Sequence, residues 1–275
     1  MIAILLSTYN SEQYLRSQID SILAQTKQNW LLYVQDDGSN DNTINIIKQY
    51  SKLNKKIIYI EDNIKGVGAM NNFMSLLQKV NADYYMFCDH DDVWLPDKIE
   101  VEISEMKDIE IKNPDKAIIV HSDLEVVDVN LNRKSYSFWK LSKINPRLIA
   151  NKSMIQVFNC VTGCTMLFNN KAKIVSFPYP NSAPMHDWWI AISVMRKKGL
   201  ISHIDKPTIL YRQHDNNVVG ARNVNGSYFQ KKLNNLNKTL EGHIKHISFL
   251  KEINGLNAIQ YYFYKIIYTI IRFFI

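Results

Sequence analysis

Three acidic residues stand within four positions of the sequence, at Asp89, Asp91 and Asp92, with His90 between them. Carboxylates this close repel one another unless a cation lies among them. Their hard oxygen atoms suit Mg²⁺ or Mn²⁺, ions that bridge to substrate phosphates. The alternative is a solvated acidic turn that caps the next helix. The apolar run before the cluster and residues 93–96 after it favour the metal site.

A second pair of carboxylates, Asp36 and Asp37, also follows an apolar run. A carboxylate at such a position can accept a hydrogen bond from a nucleobase N–H. Asp-Gly-Ser is equally a common turn, and Asn40 or Asp41 could cap the next helix. Gly66 opens an incomplete Gly-x-Gly-x-x-Gly pattern, which predicts either a tight helix entry near a diphosphate or a plain loop.

The second half of the chain offers a carboxylate and two basic side chains. Asp187 begins an apolar helical pattern and could act as a general base that deprotonates a substrate hydroxyl. It could also be an ordinary charge at a helix start, and the adjacent Trp188 and Trp189 are more often core residues. His214 could complete a metal shell and Arg212 could meet a phosphate, although a lone histidine is usually structural.

Strand and helix alternate along the first half of the chain, and this framework would position the acidic motifs. Apolar runs predict strands at 2–6, 30–34, 57–60 and 84–88, with helical spacing of apolar residues between them. This order predicts an α/β fold with a Rossmann-like, mostly parallel sheet flanked by helices. Ligands bind such sheets at the carboxyl ends of the strands, where both acidic motifs would lie.

The composition restricts the class of protein. The chain has 275 residues, is 46% hydrophobic and carries a formal net charge of +7, which suits a soluble globule with an anionic partner. Cys88, Cys160 and Cys164 show no disulfide or zinc spacing and predict a reducing, cytoplasmic environment. Residues 1–6 reach polar residues too soon for a secretory signal, so we interpret them as the first strand.

Together these motifs resemble a bacterial family 2 glycosyltransferase of GT-A fold, closest to the rhamnosyltransferase-like members that build surface polysaccharides. The resemblance covers six motifs in the same order: residues 7–10, 35–41, 87–94, 163–164, 186–189 and 211–217.

The resemblance implies a role for each candidate residue. Nucleotide-sugar contacts would come from Thr8, Tyr9, Asn10, Asp36, Asp37, Gly66, Asp89, Asp91 and Arg212. Metal ligands would come from Asp91, Asp92 and His214. Contacts to the acceptor or the transferred sugar would come from Trp94, Gly163, Cys164, His186 and Trp188. The general base would be Asp187.

The implied reaction is an inverting transfer with Mn²⁺ or Mg²⁺ as cofactor. The donor would be a nucleoside-diphosphate sugar of dTDP or UDP type, with dTDP-rhamnose favoured by resemblance, and the acceptor a saccharide or a polyprenyl-linked saccharide. The sequence departs from the family at His90, where Gln is frequent, and at Asn71 or Asn72, where many members carry Arg. These departures leave the donor sugar open.

We expect three regions: a nucleotide-sugar-binding half at 1–105, an acceptor-binding half at 106–222, and C-terminal helices at 223–275. The last segment, 259–275, is apolar and aromatic but is interrupted by Lys265 and Arg272, and it is too short and too charged to span a bilayer. A helix here could lie on the inner face of the plasma membrane with its cations near anionic headgroups. The alternative is packing on the catalytic domain or on a second copy in a homodimer.

Two other functions compete with glycosyl transfer. A nucleic-acid-binding protein would fit the positive charge, but that charge is scattered and the strongest motifs are acidic, so we expect no nucleic-acid partner. A nucleotidyltransferase also uses carboxylates and a metal. It would usually carry a basic, glycine-rich loop after the first strand, and residues 7–10 are not such a loop.

Overall fold

The computed structural model describes residues 1–62, 65–215, 217, 220–221, 223–224 and 234–274. Asn216 of the last motif, the region boundary at residue 222, residues 225–233 of the predicted C-terminal helices and Ile275 lie outside the described residues. The strands are β1 (Ile2–Thr8), β2 (Trp30–Asp36), β3 (Ile57–Tyr59), β4 (Tyr84–Cys88), β5 (Val93–Trp94), β6 (Ile118–Val127), β7 (Arg133–Ser135), β8 (Met166–Asn169) and β9 (Leu200–Arg212).

The helices alternate with the strands in the first half and cluster at the end of the chain. They are α1 (Leu15–Leu23), α2 (Thr43–Leu53), α3 (Gly68–Lys79), α4 (Lys98–Lys112), α5 (Phe138–Leu141), α6 (Pro146–Ile149), α7 (Asn170–Val175), α8 (His186–Arg196), α9 (Leu236–Glu252) and α10 (Ala258–Phe274). The predicted alternation of four strands with helices is confirmed.

One sheet joins these strands in the order β3-β2-β1-β4-β8-β6-β9-β5, with β7 paired to β6. The first four strands are parallel, as predicted, and the register sets Thr8 beside Asp36 and Leu6 beside Cys88. Strand β8 then runs antiparallel to both β4 and β6. The parallel half thus brings the two acidic motifs to one edge, and the mixed half extends the sheet beside it.

Helices cover both faces of the sheet, which is why every residue of β1 is buried. Successive side chains of a strand point to opposite faces. Accordingly Ala3 and Leu5 pack in the cluster that contains α3 and α8, whereas Ile4 and Leu6 pack in the cluster that contains α1, α2 and α4. Burying one such side chain fully contributes about 1.5–3 kcal/mol, so the site-bearing strands are held firmly from both sides.

The C-terminal helices pack on the second half of the domain. The Trp188 ring stacks on His246 of α9 with centroids 4.6 Å apart, and Gln156 Oε1 accepts a hydrogen bond from the Leu256 backbone N–H at 3.0 Å. Among the described residues, no helix combines the length and the apolar character needed to cross a membrane.

Candidate active site

The carboxyl ends of β1 and β2 meet at Asp36. Its Oδ1 accepts a hydrogen bond from Thr8 Oγ1 at 2.8 Å, and its Oδ2 accepts from the backbone N–H groups of Gly38 and Ser39 at 3.0 and 2.7 Å. Asp36 therefore closes the turn after β2. The same side chain both forms the turn and lies at the edge where a nucleobase is predicted to bind. The turn does not exclude that contact.

Asp37 lies at the N-terminus of α3. Its two carboxylate oxygens accept from the N–H groups of Val67 and Gly68 at 2.9 and 2.8 Å, which satisfies donors that a helix start leaves unpaired. Gly66, whose φ of +66° suits glycine, donates to the Asp37 carbonyl at 2.9 Å. The structure thus gives Asp37 a helix-capping contact, and Gly66 forms the tight helix entry. The nucleobase contact of Asp37 stays a prediction.

Tyr9 and Asn10 form the open rim of the same edge. The Tyr9 side chain is 51% exposed, and Asn10 adopts a left-handed backbone with φ of +47°. The Asn10 side-chain oxygen accepts from the Asn40 N–H at 2.9 Å, and its own N–H donates to Ser39 Oγ at 2.8 Å. The rim of β1 is thereby tied to the turn after β2, and Tyr9 projects where a ligand could lie.

A second cluster lies at the end of β4. A carboxylate oxygen of Asp89, one of Asp92 and the Sγ atom of Cys164 all lie within 4.8 Å of one another. Asp92 is fully buried, its Oδ1 accepts from the Arg212 N–H at 3.0 Å, and its Oδ2 has no hydrogen-bond partner among the described residues. An unpaired buried carboxylate oxygen is costly unless a cation or a ligand satisfies it. The set therefore fits a divalent metal ion.

Electrostatics point the same way. Burial and then the neighbouring Asp91 and Asp89 raise the pKa of Asp92 well above its ordinary value, and burial together with Asp91 and Asp187 raises the pKa of Asp89. Burial also raises the pKa of the Cys164 thiol. A bound cation would favour the charged form of each group and reverse these shifts.

The predicted metal set was Asp91, Asp92 and His214, and the structure groups the residues differently. Asp91 Oδ2 lies 2.9 Å from His214 Nε2 and accepts from Asn217 Nδ2 at 3.3 Å. The His214 ring also stacks on Tyr14, with centroids 5.1 Å apart. Asp91 and His214 are therefore paired with each other, beside the cluster of Asp89, Asp92 and Cys164.

Arg212, predicted to meet a phosphate, is held by groups of the protein itself, and the phosphate contact stays a prediction. Its Nε donates to the Asp91 carbonyl at 2.8 Å and its Nη1 to the Val129 carbonyl at 2.6 Å, while the guanidinium lies over the Tyr14 ring at 4.5 Å. Backbone carbonyls and an aromatic face satisfy a buried guanidinium without any anion. In this structure Arg212 holds the loop that carries Asp91.

Asp187 stands in the first turn of α8, as predicted, and enters the same site as the metal cluster. Its Oδ2 accepts from the Gly163 N–H at 3.0 Å and its Oδ1 from the Trp188 N–H at 2.6 Å. Burial raises its pKa to about 6, against hydrogen bonds that lower it, one of them from the Asn159 side chain. Its charge is also among the causes that raise the pKa of Asp89, so the two carboxylates face one site.

His186 was predicted to contact a sugar, but it lies in the core. Its ring packs against Phe73 and Phe87 with centroids 4.3 and 4.7 Å away, and burial lowers its pKa to about 3. Gly163 passes directly over this ring, because a Cβ atom there would lie 2.7 Å from His186 Nε2. The imidazole thus supports the Gly163 turn from below and does not reach the open site.

The two tryptophans predicted at the sugar are also structural. Trp188 Nε1 donates to the Ile155 carbonyl at 2.5 Å and its ring faces α9. Trp94 is 2% exposed, and Lys98 Nζ lies 4.9 Å from its ring centroid. Large aromatic rings gain most from such burial, so periodicity near a motif could not distinguish them from a ligand platform.

The sequence did not reveal what two polar residues, Asn72 and Asn159, do. Asn72 is fully buried on α3, where its Nδ2 donates to Ser7 Oγ at 2.6 Å and its Oδ1 accepts from Gln35 Nε2 at 2.6 Å. Asn72 therefore joins α3 to β1 and β2, whereas Asn71 is exposed at the rim. Asn159 belongs to no motif in the sequence. Its side chain contacts Asp187, which is distant along the chain, so only the folded structure reveals this contact.

Comparison with known proteins agrees with this geometry. The model of glycosyl transferase family 2 matches residues 3–173. The dTDP-rhamnosyl transferase RfbG of Shigella flexneri is 30% identical over 78% of this chain and 74% of its own length. WfgD of Escherichia coli, a UDP-Glc:alpha-D-GlcNAc-diphosphoundecaprenol beta-1,3-glucosyltransferase, is 25% identical over 73% of this chain and 72% of its own length. The chain spans about half the length of two matching Rickettsia glycosyltransferases, at 49% of each.

Among solved structures, the mannosyltransferase PcManGT of Pyrobaculum calidifontis, in complex with GDP-Man and Mn²⁺, superimposes with a TM-score of 0.59 at 14% identity. The match covers 94% of this chain and 66% of PcManGT. At that identity the likeness shows the fold, which is GT-A, as predicted. From the family match over residues 3–173 and the relatives that share it, the chain belongs to glycosyl transferase family 2 and is a glycosyltransferase.

Proposed function

We propose that this glycosyltransferase is an inverting, metal-dependent enzyme that moves a sugar from a nucleoside-diphosphate sugar to a saccharide or polyprenyl-linked acceptor in surface polysaccharide synthesis. The observation that carries the proposal is the meeting of two kinds of carboxylate in one site. Two backbone N–H groups orient the Asp187 carboxylate, which suits a general base. Asp89 and Asp92 lie close together, and Asp92 Oδ2 has no hydrogen-bond partner among the described residues, which suits metal ligands.

Asp187 suits the role of general base. A pKa of about 6 leaves it ionised at neutral pH and still basic enough to take a proton. The N–H groups of Gly163 and Trp188 fix its orientation. In the proposed reaction Asp187 accepts the proton of the acceptor hydroxyl while that oxygen attacks the anomeric carbon. A single displacement of this kind inverts the configuration at that carbon.

The fit of the site to Mn²⁺ or Mg²⁺ rests on Asp92 Oδ2, with Asp89 beside it. A bound divalent ion would supply Lewis-acid stabilisation of the departing nucleoside diphosphate. Asp92 is held for this purpose by the Arg212 N–H on its other oxygen. That PcManGT contains Mn²⁺ together with GDP-Man supports the proposal.

The donor would lie along the edge formed by Thr8, Tyr9 and Asp36. We favour a dTDP or UDP sugar, and rhamnose in particular, because RfbG is named as a dTDP-rhamnosyl transferase. Asp91, predicted to bind the ribose, is paired with His214, so ribose binding would replace that hydrogen bond. The three-region division, cytoplasmic location, membrane attachment and a homodimer stay predictions.

The decisive experiment is a panel of nucleotide-sugars tested with Mn²⁺ and with Mg²⁺. We expect dTDP-rhamnose or a UDP-sugar to raise the melting temperature and to be hydrolysed slowly, and both effects to require the metal. Asp92→Asn should lose the metal-dependent part, whereas Asp128→Asn, at a partly exposed turn, should keep it. A protein that responds to no donor with either ion would contradict the proposal.

A further inference from the structure

Helix α10 turns its apolar side away from the protein. Only Tyr261 and Tyr268 of the helix are buried. The outward face consists of large apolar side chains that are each at least 36% exposed: Ile259, Phe263, Ile266, Ile267, Ile270, Phe273 and Phe274. Their spacing of three, four and seven residues places them on one side of a helix. This arrangement is the reverse of an ordinary surface helix, whose apolar stripe faces the core.

The cations of α10 point inward, contrary to the expectation that they would face headgroups. The Arg272 guanidinium donates to the carbonyls of Ser142 and Lys143, at the end of α5, and Lys265 Nζ lies 4.6 Å from the Phe158 ring centroid. The Tyr268 hydroxyl accepts from the Asn145 N–H at 2.8 Å. Carbonyls at a helix end attract cations, which explains the orientation. The polar stripe therefore attaches the helix and leaves the apolar face outside.

We propose that the outward face of α10 docks on an anionic bilayer surface and lies in its interface. Single exposed apolar side chains are ordinary on a soluble protein, whereas seven large ones on one side of a helix form a continuous apolar face, which marks an interaction surface. At 17 residues the helix is about 25 Å long, enough to lie along a membrane and too short to cross it.

The charge of the surrounding sequence selects a bilayer over a second copy of the chain. Residues 223–275 contain seven Lys and Arg and two Glu, and no acidic residue follows Glu252. Lys265 and Arg272 point inward, and the other five cations still outnumber the two Glu. Basic segments next to an apolar face are attracted to anionic lipid. Two copies meeting through this face would bring like charges together, which opposes a dimer.

Helix α10 packs next to the segment that adjoins Asp187. Phe158, which α10 contacts through Lys265 and Tyr268, precedes Asn159, whose side chain bonds to Asp187. If the proposed function holds, docking through α10 would therefore keep the acceptor end of the site close to the lipid surface, where an acceptor anchored in the membrane lies. The position of the acceptor rests on the proposed function, whereas the docking surface does not.

Sedimentation with lipid vesicles tests the surface directly. We expect the full chain to bind vesicles of phosphatidylglycerol and phosphatidylcholine at least about tenfold more tightly than vesicles of phosphatidylcholine alone. The double variant Ile266→Asp/Ile270→Asp should lose at least about tenfold in affinity, because charge in the interface opposes insertion. The matched control Ile111→Asp/Ile174→Asp changes isoleucines that are 79% and 62% exposed on α4 and α7, and it should bind as the wild type does. Circular dichroism would confirm that both variants are folded.

Three results would overturn the proposal: a wild type that ignores anionic vesicles, equal losses in the two double variants, or a dimer that Ile266→Asp/Ile270→Asp dissociates without any change in vesicle binding. A dye can be attached at one introduced cysteine, since the three native cysteines are buried. Brominated lipid should quench a dye on Ile266→Cys and should not quench a dye on Leu53→Cys. Donor hydrolysis measured on the same samples separates the two proposals. Normal sedimentation without hydrolysis of any donor would contradict only the proposed metal-dependent function, and normal hydrolysis without sedimentation would contradict only the docking surface.

Discussion

Replacing Asp187 with Asn removes the proposed base without changing the size of the side chain. If Asp187 is the general base, kcat should fall at least about 100-fold, since positioned bases contribute about 10²–10⁴. Donor binding should change by less than about twofold, because the proposed donor contacts are made by other residues, Thr8, Tyr9 and Asp36. Full transfer by this variant would refute the assignment.

The same substitution has a calculable effect on stability. The folded-state pKa of Asp187 is about 6, raised by burial from an ordinary 3.8. Between these pH values the folded chain binds a proton that the unfolded chain has released, so stability falls as pH rises through the window. Because of this rise in the pKa, the ionised carboxylate costs about 3 kcal/mol above pH 6 and nothing below pH 4.

The Asn variant lacks this charge and should therefore gain about 3 kcal/mol relative to the wild type between about pH 4 and pH 7. One backbone N–H loses its acceptor in the variant, at about 1–3 kcal/mol, but this cost is the same at both pH values and cancels. Because Asp187 also raises the pKa of Asp89, the response of Asp89 adds in the same direction.

Urea denaturation of the two proteins across this pH range measures the difference. Asp128→Asn is the matched control, because the backbone N–H of Asn132 lowers the pKa of Asp128 and places its titration below this pH range. Its stability difference from the wild type should therefore stay flat from pH 4 to pH 7. A stability difference between Asp187→Asn and wild type that stays flat from pH 4 to pH 7 would show that burial does not hold the proton on Asp187.

Further predictions concern the supports of the site. Asn72→Ala should lower the free energy of unfolding by about 1–3 kcal/mol in urea denaturation, because it leaves Ser7 and Gln35 without their buried partner, whereas Asn71→Ala at the exposed rim should be nearly neutral. Gly163→Ala should cost about 1–3 kcal/mol because its Cβ meets His186, and Gly242→Ala, with open space around it on α9, should add up to about 1 kcal/mol. Equal effects within either pair would contradict the packing described.

The sequence by itself determined the parallel half of the fold and the edge where the chemistry lies. Short apolar runs with helices between them identify βα units, and the direction of those units places residues 7–10, 36–39 and 89–92 at the carboxyl ends of their strands. These inferences depend on local periodicity, which a sequence displays directly. Asp187 could be found in the same way, from its position at the start of an apolar helical pattern.

Only the tertiary structure decided what each polar side chain binds. Asp37 caps α3, Arg212 turns onto backbone carbonyls, and Cys164 joins the carboxylates because β8 lies beside β4. The outward face of α10 is the clearest case. Its periodicity predicts an amphipathic helix but not which side packs on the protein. That orientation is fixed by the hydrogen bond from Arg272 to a backbone carbonyl at the end of α5. Such pairings join residues far apart in the chain, and no local pattern records them.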